Sequence, residues 1–292
     1  MPSSRPATEL RAALGGVRAL LLDLDGVIVL KGRPIAGAGE ALALLEARGI
    51  PYRIVTNTSL VSRAGLSRWS ARLGSPIPPE RIFSALSASA AYTRHRFPGR
   101  PLFVLAAADA LTEFEGQHLL TTEAAAEPGV EAAAVVIGDG PEALTFDNLN
   151  RAFRLVRGGA ELIGMHRNPW WLTPEGPTID SGAFVAGLEF ATGRSARILG
   201  KPSPVFFREA AGDLAAEVRA QGGGPLRRAQ IAMVGDDIRS DVLAARRVGL
   251  RGVFVLTGKH TLGDVEAEAG IRRGARPDAI AASLAEVVAV LG

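Results

Sequence analysis

The sequence contains no cysteine among its 292 residues, which excludes disulfides, cysteine-ligated zinc, iron–sulfur clusters and a thiol nucleophile. Aromatic residues are also scarce, at 5%. No apolar run reaches the roughly 18 residues of a membrane-spanning helix, and residues 1–16 have no continuous apolar segment of the kind found in signal peptides. These absences predict a soluble, cytoplasmic protein without a membrane partner.

Lysine is the other scarce residue, because all but Lys31, Lys201 and Lys259 of the 33 basic residues are arginine. The formal net charge is only +3, although the pI is about 9.8. The arginines are scattered among alanine and leucine and form no basic stripe with interleaved aromatics, so the pattern argues against a nucleic-acid partner. A hydrophobic content of 47% with 22% charged residues is typical of a globular protein.

Apolar segments typical of buried strands alternate with helical patterns along the chain. Strands are predicted at 19–23, 52–56, 81–85, 231–235 and 252–256, and helices at 40–49, 62–74 and 241–249. This alternation predicts βαβ units and a mostly parallel sheet. A second group of strands at 103–107, 134–140 and 161–165, with a helix at 147–159 and a hairpin or loop at 168–182, predicts a separate lobe inserted into the first.

Two carboxylates follow the first apolar strand directly. Asp23 and Asp25 are two residues apart, so in an extended chain both side chains project to the same side. They would stand at the carboxyl end of a parallel strand, where open α/β sheets place ligands. Gly26 then allows a sharp turn and offers an unobstructed N–H. Such a pair can bind a divalent cation, or divide the roles of nucleophile and proton donor; a capped surface turn is the structural alternative.

Small hydrogen-bonding residues follow the strand at 52–56. Thr56 and Asn57 begin this group, and their hydroxyl, amide and backbone N–H groups suit phosphate oxygens. Helix capping explains the same residues equally well. Lys201 stands between Gly200 and Pro202, in a chain that otherwise prefers arginine, which supports a specific need for a compact ammonium. A solvated loop lysine at the start of a helix explains the same residue equally well.

A second acidic group follows the strand at 231–235. Asp236 and Asp237 come directly after Gly235, and Asp241 lies four residues further along. An acid pair after a strand is a good anchor for Mg²⁺, which uses few carboxylates and keeps several waters. Asp241 falls in the first turn of the predicted helix, where a carboxylate also complements the helix dipole, so a structural role is the alternative.

In this order the four motifs are specific. D-x-D-G at 23–26, T-N at 56–57, G-K-P at 200–202 and G-D-D-x-x-x-D at 235–241 each follow a strand. The sequence thereby resembles the haloacid dehalogenase (HAD) superfamily of phosphohydrolases, from about Arg18 to the C-terminus. The resemblance implies a doubly wound, mostly parallel, Rossmann-like α/β core in which all four motifs meet at one sheet edge.

The spacing of the motifs narrows the branch of the superfamily. Thirty residues separate Asp25 from Thr56, whereas 143 separate Asn57 from Lys201. Within the superfamily this resembles subfamily IIA, with a C2-type α/β cap at 86–195 inserted into a core of 1–85 and 196–292. That branch includes the NagD-like, pyridoxal phosphate, and phospholysine phosphohistidine inorganic pyrophosphate phosphatases. The last of these carry a serine at the position of Asp25, which weakens the transfer of their substrate to this chain.

The resemblance implies a role for each core motif. Asp23 would be the nucleophile that forms an aspartyl-phosphate, and Asp25 the general acid and base. Mg²⁺ would be held by Asp23, Asp236 and the backbone carbonyl of Asp25. The implied phosphate-binding residues are Gly26, Thr56, Asn57 and Lys201, and the implied supports of the metal are Asp237 and Asp241.

The cap of similar phosphatases closes over the substrate and selects it. The matching stretch runs from His166 to Leu172. Its Trp170 and Trp171 would stack on a substrate ring or seal a small substrate, or else pack within the cap or in a dimer contact. His166 is an extra acid, a substrate contact or a structural residue, and Asn168 lies between these positions. The expected partner is a small phosphorylated substrate, and a homodimer through the cap is an open alternative to a monomer.

Other readings of the four motifs explain less of the sequence. A catalytically weak phosphate-binding regulator would not need the complete set of acids and lysine. A receiver-type phosphoacceptor would not carry D-x-D-G or the long insert, and a dehalogenase would not need Asp25. The sequence therefore predicts a Mg²⁺-dependent phosphatase acting on a small phosphorylated metabolite, a phosphoamino acid or pyrophosphate.

Overall fold

The computed structural model describes residues 7–173, 175–271 and 274–291, and these divide into two compact units. The first unit comprises the described residues up to Thr56, then Ser67–Phe83 and those from Lys201 onward. The second comprises Asn57–Leu66 and Ser84–Gly200. Of the predicted segments, the hairpin at 168–182 includes Pro174, which lies outside the described residues.

The strands follow the apolar segments of the sequence closely. They are β1 Ala19–Asp23, β2 Val29–Leu30, β3 Arg33–Pro34, β4 Tyr52–Thr56, β5 Ile82–Ser84, β6 Leu102–Leu105, β7 Ala134–Ile137, β8 Glu161–Gly164, β9 Trp170–Thr173, β10 Gly176–Ile179, β11 Arg197–Ile198, β12 Ile231–Gly235, β13 Arg251–Val255 and β14 Ala279–Ala281. The predicted hairpin is formed by β9 and β10, which pair in antiparallel register.

The α-helices fill the segments between the strands. They are α1 Ala7–Ala13, α2 Ala38–Ala47, α3 Arg63–Arg72, α4 Ala85–Arg96, α5 Ala108–Leu111, α6 Phe146–Arg157, α7 Ser181–Thr192, α8 Pro204–Ala220, α9 Ala244–Arg247, α10 Leu262–Ile271 and α11 Leu284–Val290. Short 3₁₀ turns lie at Pro79–Arg81, Thr112–Phe114, Ala124–Ala126 and Arg228–Gln230. In the described part of the chain, no helix is long and apolar enough to cross a bilayer.

The first unit is built on a six-stranded sheet in the order β14-β13-β12-β1-β4-β5. The pairs from β14 through β4 are all parallel. β1 lies between β12 and β4, and all five of its residues are buried, as its continuous apolar run predicts. The predicted α/β fold with a mostly parallel core sheet is therefore confirmed.

The second unit has its own parallel sheet, in the order β11-β8-β7-β6. Successive side chains of a strand point to opposite faces of the sheet, so alternate residues of these strands pack into two separate hydrophobic cores. Val104 and Val136 pack with α4 on one face, while Phe103 and Val135 pack with α6 and α7 on the other. The amphipathic pattern at 147–159 therefore predicted the position of α6 to within two residues at each end.

Two features differ from the expectations. The predicted helix at 241–249 begins instead as a π-helical turn, Ile238–Leu243, and continues as α9. The observed units also group residues 57–66, 84–85 and 196–200 with the second unit, whereas the prediction placed them in the core. The function of the second unit as a substrate-selecting cap stays a prediction.

Candidate active site

The acidic motifs of the first unit lie where neighbouring parallel strands end. β1 ends at Asp23, β4 at Thr56 and β12 at Gly235, and β1 pairs with both of the others. Because parallel strands present their carboxyl ends at one edge, these residues share the edge at which open α/β sheets bind ligands. Thr56 is buried, with 2% of its surface exposed.

A buried lysine joins two of the predicted acids. Lys201 Nζ lies 2.7 Å from Asp23 Oδ1 and 2.8 Å from Asp241 Oδ1. All three residues are buried, and the backbone N–H of Leu24 donates a further hydrogen bond of 2.8 Å to Asp23 Oδ1. The ammonium therefore fixes the position of Asp23 and compensates part of the charge of both carboxylates.

Asp236 is enclosed by two glycines. A Cβ atom built on Gly26 would lie 2.3 Å from Asp236 Cγ, and one on Gly258 would lie 2.0 Å from Asp236 Oδ2. Gly26 also has φ of +78°, which a side chain would disfavour. The backbone N–H of Lys259 donates a 2.7 Å hydrogen bond to Asp236 Oδ2. Only residues without a side chain allow the backbone to approach this carboxylate so closely.

The π turn carries Asp241 toward the site. Asp237 caps the turn, because its Oδ1 accepts hydrogen bonds of 2.8 Å from the backbone N–H groups of Arg239 and Ser240. Its backbone carbonyl accepts from the N–H groups of both Asp241 and Val242, at 3.1 and 3.3 Å. Asp241 is completely buried beside Lys201 as a result. Asp237 thus supports the site from the turn and pairs with Lys259 Nζ at 2.9 Å.

Burial and mutual repulsion raise the pKa values of Asp23, Asp236 and Asp241. Burial raises the pKa of Asp23, and Asp236 and Asp25 add to the shift while Lys201 opposes it. Burial, reinforced by Asp23 and opposed by Lys201, raises the pKa of Asp241 to about 8. The pKa of Asp236 is raised by burial and by Asp241. Burial alone would lower the pKa of Lys201, but Asp23 and Asp241 raise it above its ordinary value.

Asp25 is exposed to solvent, whereas Asp23, the first residue of the D-x-D motif, is buried. The protein packed around its carboxyl group nevertheless raises its pKa; Asp236 adds to this effect, and Lys201 and Lys259 oppose it. The turn that follows is held by Gly26, whose N–H donates to the carbonyl of Val29 at 2.7 Å and so is not the unobstructed donor that the sequence predicted. A carboxyl group whose pKa is raised and that still reaches solvent suits a general acid.

The remaining predicted residues lie in the second unit. Asn57 Nδ2 donates a hydrogen bond of 3.4 Å to Asn168 Oδ1, so two of these residues are in contact. His166 is buried, with 1% of its surface exposed. Trp170 and Trp171 are 59% and 49% exposed on β9, which disfavours the alternative that they pack within the unit.

Two models of known families match the chain. The model of haloacid dehalogenase-like hydrolases matches residues 20–119, and that of HAD-hydrolase-like proteins matches residues 198–287. Human haloacid dehalogenase-like hydrolase domain-containing protein 2 is 34% identical over 87% of this chain and 90% of its own length. The chain belongs to the haloacid dehalogenase-like hydrolases. The family that the four motifs resemble is therefore confirmed.

Two relatives with a named activity are phosphatases. Phospholysine phosphohistidine inorganic pyrophosphate phosphatase from Rattus norvegicus is 32% identical over 86% of this chain and 87% of its own length. The crystal structure of 4-nitrophenylphosphatase from Thermotoga maritima superposes with a TM-score of 0.80, at 26% identity, over 95% of this chain and 98% of that one. This haloacid dehalogenase-like hydrolase is accordingly a phosphatase, as predicted.

The donor set of the first unit fits the divalent cation that the family implies. Asp23, Asp236 and Asp241 each offer a carboxylate oxygen, and these oxygens lie within 4.8 Å of one another. Carboxylate oxygens are hard donors of the kind that Mg²⁺ prefers. Asp241 is committed through Oδ1 to Lys201 and through Oδ2 to the N–H of Asp237, at 3.3 Å. The carboxylate of Asp241 is therefore more fully engaged by the protein than those of Asp23 and Asp236.

Two residues outside the predicted set carry sequence signals of the same kind. Lys259 is one of only three lysines, so the argument made for Lys201 applied to it equally. Asp139 directly follows the apolar stretch 134–138, as Asp23 follows its own strand. His260 Nδ1 accepts a hydrogen bond of 3.2 Å from the N–H of Ile238 and so holds the start of the π turn.

The raised pKa of Asp241 predicts how stability depends on pH in chelator. Between the ordinary value of 3.8 and about 8, the folded protein keeps a proton that the unfolded chain has lost. Stability should therefore fall as the pH rises through this window. We expect the melting temperature in chelator to be lower at pH 8 than at pH 6, and Mg²⁺ to raise it more at pH 8.

A test variant and a control variant accompany the measurement of melting temperature. Asp241→Asn should flatten the pH dependence, because an amide does not titrate. Asp147→Asn alters an exposed residue in the first turn of α6 and should leave the dependence unchanged. A melting temperature that responds equally to Mg²⁺ at both pH values would contradict the assignment of these acids to a cation site.

Proposed function

We propose that this phosphatase depends on Mg²⁺ and hydrolyses a small phosphorylated metabolite, a phosphoamino acid or pyrophosphate through an aspartyl-phosphate on Asp23. The observation that carries the proposal is the placement of Asp23: it is buried at the end of β1, 2.7 Å from the Lys201 ammonium and among further acids. A carboxylate held in this way is oriented for attack, and the other acids provide oxygens for a cation.

In the first step, an oxygen of Asp23 attacks phosphorus in line, and the bond between phosphorus and the leaving oxygen breaks. Asp25 transfers its proton to that leaving oxygen, which the raised pKa of its carboxyl group favours. In the second step, water attacks the aspartyl-phosphate and Asp25 takes up the proton of that water. Inorganic phosphate is released, and both acids return to their starting states.

The remaining residues bind and orient the phosphate. Thr56, Asn57 and Lys201 would hold its oxygens together with the backbone N–H groups beside Gly26. Asp23, Asp236 and the carbonyl of Asp25 would hold Mg²⁺, with Asp237 and Asp241 as supports. When bound, the cation offsets the repulsion between the attacking carboxylate and the phosphate dianion. Lys201 provides a second, permanent positive charge because the raised pKa keeps it protonated.

The second unit would select the substrate. The exposed rings of Trp170 and Trp171 offer apolar surfaces on which a substrate ring can stack. Asn168 and His166 precede this pair in the same stretch of chain. The predictions of a cap, of a cytoplasmic location and of a cap-mediated homodimer as the alternative to a monomer belong with this proposal.

Hydrolysis of 4-nitrophenyl phosphate, pyrophosphate and a panel of phosphometabolites tests the proposal. We expect turnover of at least one compound in Mg²⁺ and its loss in chelator, with recovery when Mg²⁺ is restored. Turnover that persists in chelator would contradict the role of the cation. No turnover of any compound would instead favour a phosphate-binding regulatory protein.

A further inference from the structure

The second unit contains a buried cluster of polar residues that the proposed chemistry does not use. The Nε2 atom of His166 lies 3.0 Å from Asp139 Oδ2, 3.1 Å from Ser181 Oγ and 3.6 Å from Asp180 Oδ1. Asp139 follows β7, His166 follows β8, and Asp180 caps the start of α7. Three separate segments of the unit thus meet at one imidazole, which is only 1% exposed.

The contact of the other ring nitrogen, Nδ1, determines which nitrogen of His166 carries the proton. His166 Nδ1 accepts a hydrogen bond of 3.3 Å from the backbone N–H of Asn168. An accepting Nδ1 carries no proton, so the proton of the neutral ring lies on Nε2 and is donated to Asp139. A ring that bound a metal through Nε2 would need its proton on Nδ1, against the N–H of Asn168. The geometry therefore favours a hydrogen-bonded anchor over a metal site, although the cluster has suitable ligand types.

The cluster is linked to the stretch that follows β4. The side chain of Asn168 accepts the hydrogen bond from Asn57 Nδ2 described above, at 3.4 Å. Ser59 Oγ donates to Asp139 Oδ2 at 2.5 Å and accepts from the N–H of Asp139 at 3.0 Å. The Nε2 atom of the ring is thus held by Asp139, which Ser59 fixes in place. The Nδ1 atom holds Asn168, the residue that contacts Asn57.

We propose that His166 is a positioning residue, whose ring holds Asn168 so that the side chain of Asn168 orients the amide of Asn57. This inference rests on the proposed function, which places Asn57 on the phosphate of the substrate. His166 itself touches neither the substrate nor the reacting atoms. Its effect should therefore be on substrate binding, through Asn57, rather than on the chemical step.

The charges around the ring give this role a pH dependence. The titratable groups that face it are Asp139 and Asp180. The ion pair of exposed Arg167 with half-buried Glu189 lies on the neighbouring segments. Burial opposes protonation of the ring, but Asp139 and Asp180 outweigh it and raise the pKa of His166. A second proton enters at Nδ1 and faces the N–H of Asn168, so protonation breaks the hydrogen bond that holds Asn168.

Two substitutions separate the functions of the two ring nitrogens. His166→Gln keeps a donor near the position of Nε2 but removes the acceptor at Nδ1. His166→Asn keeps an acceptor at Nδ1. At a pH above the transition of the ring, we expect His166→Gln to raise KM about fivefold with kcat nearly unchanged, which is the value of about one hydrogen bond. His166→Asn should restore most of this loss, and His95→Gln, an exposed histidine of α4, should have no effect.

Two comparisons exclude a merely structural role. The ratio of KM between His166→Gln and the unchanged protein should approach one below the transition of the ring, because the protonated ring has also lost Asn168. In an Asn168→Ala background, His166→Gln should raise KM no further. A ratio that does not change with pH, or a full additional loss in the Asn168→Ala background, would overturn the proposal.

Nitrogen NMR of histidine-labelled protein tests the anchor without turnover. Above the transition, the His166 ring should carry its proton on Nε2, and the side-chain amide signal of Asn57 should move in His166→Gln but not in His95→Gln. A proton on Nδ1, or loss of the Nε2 proton on adding one equivalent of Zn²⁺, would overturn the proposal in favour of a metal site. If these signals behave as expected while no substrate is turned over, the proposed function fails and the anchor stands.

Discussion

Replacing Asp23 by asparagine should abolish turnover of every substrate, lowering kcat by about four orders of magnitude or more, the scale seen when a hydrolase loses its nucleophile. Asparagine keeps the shape of the side chain but removes the attacking oxygen anion. No other described carboxylate occupies the end of β1 next to Lys201. The measurement is single-turnover and steady-state hydrolysis in Mg²⁺, with Asp147→Asn as the matched control.

The stability of the same variant distinguishes loss of chemistry from loss of fold. Burial and neighbouring acids raise the pKa of Asp23, so removing its charge relieves repulsion in the protein without Mg²⁺. We expect the melting temperature of Asp23→Asn in chelator to be no lower than that of the unchanged protein, and its response to Mg²⁺ to be weaker. Residual turnover within about tenfold of the original would rule out the aspartyl-phosphate route.

Replacing Lys201 by methionine should produce the largest loss of stability. The ammonium is buried between Asp23 and Asp241, at 2.7 and 2.8 Å, and methionine fills similar space without a charge. Removing one partner of a buried ion pair costs about 3–5 kcal/mol, because the charge left behind has lost both water and its counter-ion. The free energy of unfolding, measured by chemical denaturation in chelator at pH 8, reports this loss.

The loss should shrink in acid, because Asp241, whose pKa is about 8 even beside the lysine, takes up a proton and no longer needs compensation. Activity should fall along with stability, since Lys201 also contacts the nucleophile. Lys31→Met, which changes an exposed lysine, is the matched control. Equal destabilisation at pH 5 and pH 8 would show that Lys201 acts through packing and not through its charge.

The strands of the core could be predicted from the sequence because each is a short apolar run ending in a polar residue. The limits of β1, β4 and β12 coincide with those predicted from ALLLD, YRIVT and IAMVG. The same rule brought Asp23 and Asp236 to one sheet edge, since parallel neighbours must end there together. Their short sequence signals required no knowledge of side-chain contacts.

Other features depend on contacts between distant residues and have no local signal. Asp139, His166 and Asp180 are separated by many residues, and only the pairing of β7 with β8 and the start of α7 brings them together. His166 could therefore be considered only as an isolated histidine. Likewise, the closeness of Gly258 to Asp236 depends on the loop after β13, which periodicity does not describe.

Because of the π turn at Ile238–Leu243, the directions in which Asp237 and Asp241 point depend on the number of residues in that turn. Each residue of an α-helix turns the chain by about 100°, and a π turn holds one residue more than an α turn over the same stretch. Deleting one residue from 238–240 would leave the acids in the chain but rotate their directions relative to each other. The spacing between Asp237 and Asp241 therefore sets the relative directions of their side chains. Deleting one residue between them should reduce activity as much as removing one of the carboxylates.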